Sequence, residues 1–318
     1  MIVNQCSPYN SQQVLAIVAF PLFTAGLILT GISVYVYTRS YQLRTTIGYL
    51  LAFLSIFEFC FLLTSFQAFS LAYIPTFSCS NQSDEYPKFK SYSAVYIYPL
   101  THVTKYMCVC ISIMISIQQW IAVFLPMEVK NLCNMQRTKR LLIFSFVFSV
   151  FLSIPRFVEQ KINKFNGRNV DDNNWKENQF IQAINYFDDH VFNAFIIFSI
   201  LLIINVSIIC LLKYSQLERM RMTSQSVKDR RTSIMLLAVL LAYVVTHFPS
   251  MLIEYADKKL ERGLPEDIAD LRREISNFFM CCHPIFSFAD YMIFSEKYRR
   301  TVKSLLLSRK NKNPPQPV

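Results

Sequence analysis

The chain has 318 residues, of which 53% are hydrophobic and 17% charged, with 28 phenylalanines and a formal net charge of +11. So little charge together with so much phenylalanine excludes an ordinary soluble domain and favours a membrane protein. The basic residues concentrate in alternate loops, so the net charge indicates orientation in a membrane and not a nucleic-acid partner.

Seven apolar segments approach the roughly 20 residues that a helix needs to cross a bilayer. They lie at 14–37, 46–74, 92–129, 141–155, 191–212, 233–253 and 275–294. The fourth is the shortest, and a helix lying at the interface is its alternative. Arg140 and Arg156 flank it and can extend their charged groups to the two interfaces. We predict an all-α bundle of seven transmembrane helices, with an extracellular N-terminus at 1–13, a seven-transmembrane domain at 14–294, and an amphipathic helix and basic tail at 295–318.

The distribution of charge predicts which loops face the cytoplasm. Segments that follow odd-numbered spans hold 19 Lys and Arg against 4 Asp and Glu, whereas the opposite segments hold 12 against 15. The positive-inside rule places the first set in the cytoplasm and the N-terminus outside. Asn81 begins an Asn-Gln-Ser glycosylation acceptor in the loop after span two, which this orientation places outside.

Two of the nine cysteines, Cys6 and Cys79, fall on the predicted outer side, where disulfides persist. A bridge between them would tether the N-terminal arm to the first outer loop; free thiols or intermolecular pairing are the alternatives. The cysteines within spans are interpreted as small packing residues and not as a metal site.

Ionisable residues inside the spans indicate function, because charge at this depth is costly to insert. Glu58 lies near the middle of span two and Asp290 near the inner end of span seven. Either they form polar contacts that hold helices together, or they line a hydrated switch or an ion pocket. Lys105 in span three either pairs with Glu58 or faces an anionic ligand group. His247 in span six is favoured as an interior histidine over a metal ligand.

Prolines interrupt five of the spans, and each removes one backbone hydrogen bond. Pro249 and Pro284 would give spans six and seven natural pivots, with static helix shape as the alternative. The positions are Pro21, Pro99, Pro155, Pro249 and Pro284.

Several motifs, taken in order, resemble those of rhodopsin-like G-protein-coupled receptors. Residues 118–127 (QQWIAVFLPM) look like the Asp-Arg-Tyr motif and its continuation at the end of span three. Residues 54–58 (LSIFE) fall where the family has Leu-Ala-x-x-Asp, and 246–249 (THFP) where it has Cys-Trp-x-Pro. Residues 290–294 (DYMIF) match Asn-Pro-x-x-Tyr, and 297–300 (KYRR) match the start of a short helix along the inner membrane face.

Within that family, two further segments are similar to invertebrate FMRFamide-type neuropeptide receptors. They are 98–101 (YPLT) in span three and 153–159 (SIPRFVE) at the end of span four. The resemblance implies a multi-pass protein of the plasma membrane that binds an extracellular ligand, signals to a heterotrimeric G protein, contacts membrane lipid, and has no enzyme activity or cofactor.

The resemblance also implies roles for individual residues. A ligand pocket between the outer halves of the spans would include Thr101, Lys105 and His247. The positions that change conformation on activation would be Glu58, Cys108, Gln118, Gln119, Trp120, Pro249, Asp290 and Phe294. The segment 298–307 has the pattern of an amphipathic helix that lies at the membrane interface.

This chain departs from the family at four positions. Gln119 replaces the arginine that engages the G protein, His247 replaces the tryptophan of span six, and Phe294 replaces the final tyrosine. Ala94 stands where the family has a cysteine at the outer end of span three. G-protein coupling is therefore weak, altered or lost, and a decoy receptor that sequesters its ligand is an alternative.

Other function classes remain as alternatives. A transporter predicts an internal repeat, which is not evident, and a membrane enzyme predicts clustered ligands, yet the four histidines share no metal-binding spacing. A chemosensory receptor for small molecules is not separable from a peptide receptor by sequence.

Acidic outer-loop residues suit a basic or amidated peptide, with ordinary solvated surface as the alternative. They are Asp171, Asp172, Asp188, Asp189, Asp257, Glu261, Glu266, Asp267 and Asp270.

Overall fold

The computed structural model describes residues 11–39, 43, 45–71, 92–125, 127–158, 160–162, 170–172, 178–187, 195–218, 234–249, 252 and 266–308. Within them, seven long helices form the predicted bundle and an eighth follows. Their bounds are α1 Ser11–Tyr37, α2 Thr46–Ser65, α3 Tyr98–Phe124, α4 Met135–Val158, α5 Phe195–Glu218, α6 Ile234–Pro249, α7 Glu266–Phe294 and α8 Glu296–Ser308.

Smaller elements lie between the helices. Short helices span Val129–Leu132 and Gln179–Phe187, and strands Gln160–Ile162 and Val170–Asp172 pair in antiparallel register. The strand pair is an addition to the predicted all-α fold, because three-residue strands are too short to show a periodic pattern. Span two continues past Ser65 as a π-helix over Phe66–Leu71, and span three begins with a π-helix over Ser93–Ile97.

The length and apolar composition of four helical segments suffice for crossing a membrane: Ala19–Tyr37, Thr46–Ala68, Val95–Phe124 and Met135–Val158. Ser199–Leu211 and Ile234–Pro249 are shorter apolar helices, and Phe278–Phe294 qualifies together with Tyr298–Leu305 across a bend of 100°. The fourth span was predicted to be the weakest. Its helix is instead 24 residues long, because Met135 to Arg140 continue it at the inner end.

Helix α3 is central to the bundle and packs against α2, α4 and α5, while α1 packs against α2 and α7. Buried serines on α4 form the side that faces α3, and Ser149 and Ser153 donate to the carbonyls of Ser145 and Ser149. Small side chains that satisfy their own hydroxyls let two helices approach closely without leaving polar groups unpaired.

A continuous apolar core in the inner half joins seven helices, α1 to α4 and α6 to α8. Leu54 of α2, Ile111 of α3, Leu236 of α6, Tyr291 of α7 and Tyr298 of α8 belong to it, and each of the five is fully buried. Because lipid does not repel apolar surfaces, such a core stabilises the bundle by close packing.

The bend between α7 and α8 has a local cause. Ser295 interrupts the helix, and its Oγ accepts a hydrogen bond from the backbone N–H of Tyr298 at 3.3 Å, as a helix N-cap does. Arg299 turns back and donates to the carbonyls of Met292, at 3.0 Å, and Ile293, the last turn of α7. The first turn of α8 thus caps the end of α7.

Tyr298 also fixes α8 to α1. Its hydroxyl lies 2.7 Å from Ser33 Oγ, and burial raises the pKa of Tyr298 to about 12, so the phenol stays protonated. Its ring packs against Tyr37 and Tyr291 with centroids 5.5 Å away in each case. We call Tyr37, Tyr291 and Tyr298 the tyrosine cluster; it joins α1, α7 and α8.

Candidate functional site

Glu58 lies in the middle of the bundle and contacts two residues of α7. His283 Nε2 is 3.1 Å from Glu58 Oε1, and Ser287 Oγ donates to the same oxygen at 3.2 Å. Ser287 lies one turn after His283, and the two side chains are 3.4 Å apart. Glu58 is 1% exposed, His283 3% and Ser287 0%. This buried polar group, the Glu58–His283–Ser287 triad, joins α2 to α7.

His247 is the next side chain on the outer side of the triad. Its ring stacks on Tyr243 with centroids 3.9 Å apart and meets His283 edge-on at 5.6 Å. His247 Nδ1 lies 3.1 Å from the carbonyl oxygen of Tyr243. A carbonyl only accepts, so Nδ1 carries the proton, and Nε2 is left as an acceptor when the ring is neutral.

Thr101 and Lys105 lie one turn apart in the outer half of α3. Thr101 is buried and donates to the carbonyl of Ile97 at 3.2 Å, while Lys105 is half-buried. The positive charge of Lys105 acts on both His247 and His102. Lys105 and His247, two of the three residues predicted to bind ligand, are thus within electrostatic range of each other.

Asp290 lies on the inner side of the triad, beside the tyrosine cluster. Asp290 Oδ2, Tyr37 Oη and Tyr291 Oη are buried and have no hydrogen-bond partner among the described residues. Tyr37 and Tyr291 meet edge to face, with centroids 5.0 Å apart. A group of buried acceptors and hydroxyls with unused hydrogen-bonding capacity is the kind of place that ordered water fills.

The inner end of α3 is held to α4 by a hydrogen bond that the sequence did not reveal. Gln118 Nε2 donates to Thr138 Oγ1 at 3.1 Å, and Thr138 in turn donates to the carbonyl of Asn134 at 3.1 Å. Gln119, in the position of the family's arginine, is only 3% exposed. Replacement of the Asp-Arg pair therefore leaves a neutral amide contact in this region of the bundle.

The remaining predicted switch residues are dispersed. Cys108 is buried in the apolar core of α3, and Phe294 is half-buried at the end of α7. Trp120 is half-buried and stacks on Phe124 with centroids 4.9 Å apart. Pro249 is half-buried at the end of α6, two residues after His247.

Two predicted sites lie outside the described residues: the glycosylation acceptor Asn81 and the predicted disulfide between Cys6 and Cys79. Four of the nine acidic outer-loop residues do as well, whereas Asp171 and Asp172 lie in the second strand and Glu266, Asp267 and Asp270 lie at the start of α7. The cysteines in the described part of the chain are free thiols.

Sequence reasoning missed His283, Ser287, Tyr243 and Thr138. His283 was considered only as a possible metal ligand and set aside for lack of spacing. The spacing of His283 and Ser287 could have indicated a shared polar face. The two residues are four positions apart on the predicted seventh span, and side chains so spaced lie on one face of a helix. Which helix that face meets depends on tertiary packing.

Two comparisons with known proteins agree with the motifs. The model of the family described as 7 transmembrane receptor (rhodopsin family) matches residues 31–287. The chain is similar to the FMRFamide peptide receptor frpr-18 of Caenorhabditis elegans, at 22% identity over 314 residues, covering 93% of this chain and 70% of that receptor. It is also similar to the FMRFamide receptor of Drosophila melanogaster, at 21% identity over 299 residues. That alignment covers 90% of this chain and about half, 52%, of the Drosophila receptor.

The contact between Gln118 and Thr138 gives a first testable prediction. Thr138→Val removes the acceptor while keeping the side-chain shape, so the buried Gln118 amide loses its partner. We expect the free energy of unfolding of the purified protein to fall by about 1 to 3 kcal/mol, the cost of an unsatisfied buried amide. Thr64→Val is the matched control, because the Thr64 hydroxyl donates to the carbonyls of Cys60 and Phe61 in its own helix. Equal losses in the two variants would contradict a contact specific to α3 and α4.

Proposed function

The chain belongs to the rhodopsin-like family of seven-transmembrane receptors, and we propose that it binds an extracellular neuropeptide of FMRFamide type and signals to a heterotrimeric G protein at the plasma membrane. The observation that carries the ligand class is its similarity, along most of its length, to two relatives named as FMRFamide receptors. The segments 98–101 and 153–159 support the same choice.

The chemistry of the outer site suits the amidated end of such a peptide. A carboxamide offers one carbonyl acceptor and two N–H donors. Lys105 can donate to the carbonyl, and His247 Nε2 can accept an N–H, because Nδ1 already donates to the backbone of Tyr243. Thr101 lies one turn from Lys105, and its hydroxyl oxygen contributes a second acceptor beside His247 Nε2. A free carboxylate would lose the contact with His247 and gain charge pairing with Lys105 only.

Transmission from this pocket would use the aromatic contacts below it. A ligand that displaces His247 also moves Tyr243, whose ring meets His283 at 5.2 Å. His283 holds Glu58 of α2. A ligand that contacts one arrangement of these rings better than the other shifts the population of α6 and α7 positions. The basic inner loops 130–140 and 213–232 would then bind the G protein.

The alternative with a specific observation in its favour is a non-coupling receptor. Gln119 carries no charge and is buried, so it provides neither the cation nor the exposure that coupling uses elsewhere in the family. No specific observation favours a chemosensory receptor for small molecules, and the ligand screen described below tests that alternative.

A screen against amidated peptides tests the ligand. Cells that express the receptor are exposed to FMRFamide-type peptides and to the same peptides with a free carboxyl end, and second messengers and arrestin recruitment are recorded. We expect responses to the amidated set. Lys105→Met should raise the half-maximal concentration about tenfold, the effect of one lost charge-assisted hydrogen bond.

Lys303→Met is the matched control for that variant, since Lys303 is exposed on α8. It should leave the concentration dependence unchanged. Responses confined to small volatile compounds, or an unaltered response of Lys105→Met, would contradict the proposed peptide site.

Gln119→Arg tests whether coupling is attenuated. In the described conformation this position is closed, so a guanidinium there is a buried charge that destabilises the closed inner face and favours an open one. We expect ligand-independent second-messenger production to rise by roughly threefold or more, since about 0.7 kcal/mol of relative destabilisation is sufficient. Gln119→Met, similar in size but uncharged, should not raise it. Equal signalling by the two variants at matched surface expression would favour the non-coupling receptor.

A further inference from the structure

The sequence alone left two interpretations of Glu58: a polar contact between helices or part of an ion pocket. We propose that His283 is the counter-charge of Glu58, so that the Glu58 carboxylate is neutralised by a side chain and not by a bound inorganic cation. The inference concerns the internal charge of the receptor and holds whatever ligand it binds.

The first step is the charge balance of the pair. Glu58 is too deeply buried to be solvated, so its carboxylate needs a compensating charge or a proton. One proton shared with His283 is sufficient in either arrangement: a carboxylate beside an imidazolium, or a carboxylic acid beside a neutral imidazole. Both arrangements have zero net charge, and neither leaves a charge for a cation to balance.

The second step is the geometry around Oε1 of Glu58. His283 and Ser287 both contact this oxygen from α7. A hard cation takes oxygen ligands, and the proton that lies between His283 Nε2 and this oxygen occupies the cation's place, whichever of the two atoms carries it. A cation could bind there only if the imidazole moved away.

The third step is that the imidazole is fixed. Tyr243 meets it edge-on with centroids 5.2 Å apart and planes at 86°, and His247 meets it at 5.6 Å and 77°. Ser287 adds a polar contact at 3.4 Å on the next turn. A side chain held by two rings and two polar groups keeps one rotamer, so displacement by a cation would cost all four contacts.

A thermal unfolding experiment on the purified full-length protein in lipid nanodiscs tests this without any ligand. The unfolding midpoint is measured in sodium chloride and in choline chloride at equal ionic strength, which equalises screening. We expect the wild-type midpoint to be the same in both salts. His283→Asn removes the counter-charge and should create a sodium site, so its midpoint should rise in sodium by about 3 °C at saturating salt.

Three further variants make the result specific. The double variant Glu58→Gln/His283→Asn should show no sodium effect. That result would assign the sodium site to Glu58 and not to the second carboxylate, Asp290. His283→Lys restores a positive charge and should be insensitive to sodium, like the wild type. His102→Asn is the matched control, the same substitution at a histidine of α3 outside the triad, and it should create no sodium effect.

Sodium stabilisation of the wild type that is lost in Glu58→Gln would overturn the proposal, and so would a His283→Asn variant that ignores sodium. If His283→Asn does not fold, the wild type and Glu58→Gln are compared instead. For each of these two proteins, equal unfolding midpoints in sodium chloride and choline chloride would support His283 as the counter-charge. Absence of a peptide response in cells would leave this test unaffected.

Discussion

A carboxylate buried in the middle of a helix bundle must be neutralised, and the contact of Glu58 with His283 and Ser287 meets that constraint. The interaction joins α2 to α7 across a distance of 229 positions in sequence, counted from Glu58 to Ser287. Removal of one partner of a buried pair typically costs about 3 to 5 kcal/mol, because the other is left uncompensated. The positions of His247, Tyr243 and Asp290 are best understood from this pair outward.

On the outer side, the pair lies next to the proposed ligand pocket. His283 contacts Tyr243 and His247 edge-on, and His247 Nε2 is the acceptor that we propose for the ligand. On the inner side, Asp290 and the tyrosine cluster hold unused hydrogen-bonding groups, and Arg299 caps α7 so that α8 can turn away. The departures from the family at His247 and Gln119 therefore have different consequences. His247 enters a connected set of contacts, whereas Gln119 loses a charge and is buried.

Much of this architecture could be predicted from the sequence, because bilayer thickness and charge asymmetry are strong one-dimensional constraints. Seven apolar segments predicted the fold class, and the order of the motifs within them, such as 54–58 and 290–294, indicated the family by resemblance. The length of α4 was underestimated, because Arg140 was taken as a limit although a helix continues through charged residues at the interface. The contacts of His283, Thr138 and Tyr298 were not predictable, since each depends on which faces of two distant helices meet.

A double-mutant cycle between Glu58 and His283 tests the central interaction most directly. The free energy of unfolding in mixed detergent micelles is measured for the wild type, Glu58→Gln, His283→Gln and the double variant. The structure predicts a coupling energy of about 2 kcal/mol or more, because the second substitution removes the partner that the first left unpaired. Additive effects within about 0.5 kcal/mol would contradict the pair, since distant and independent sites behave in that way.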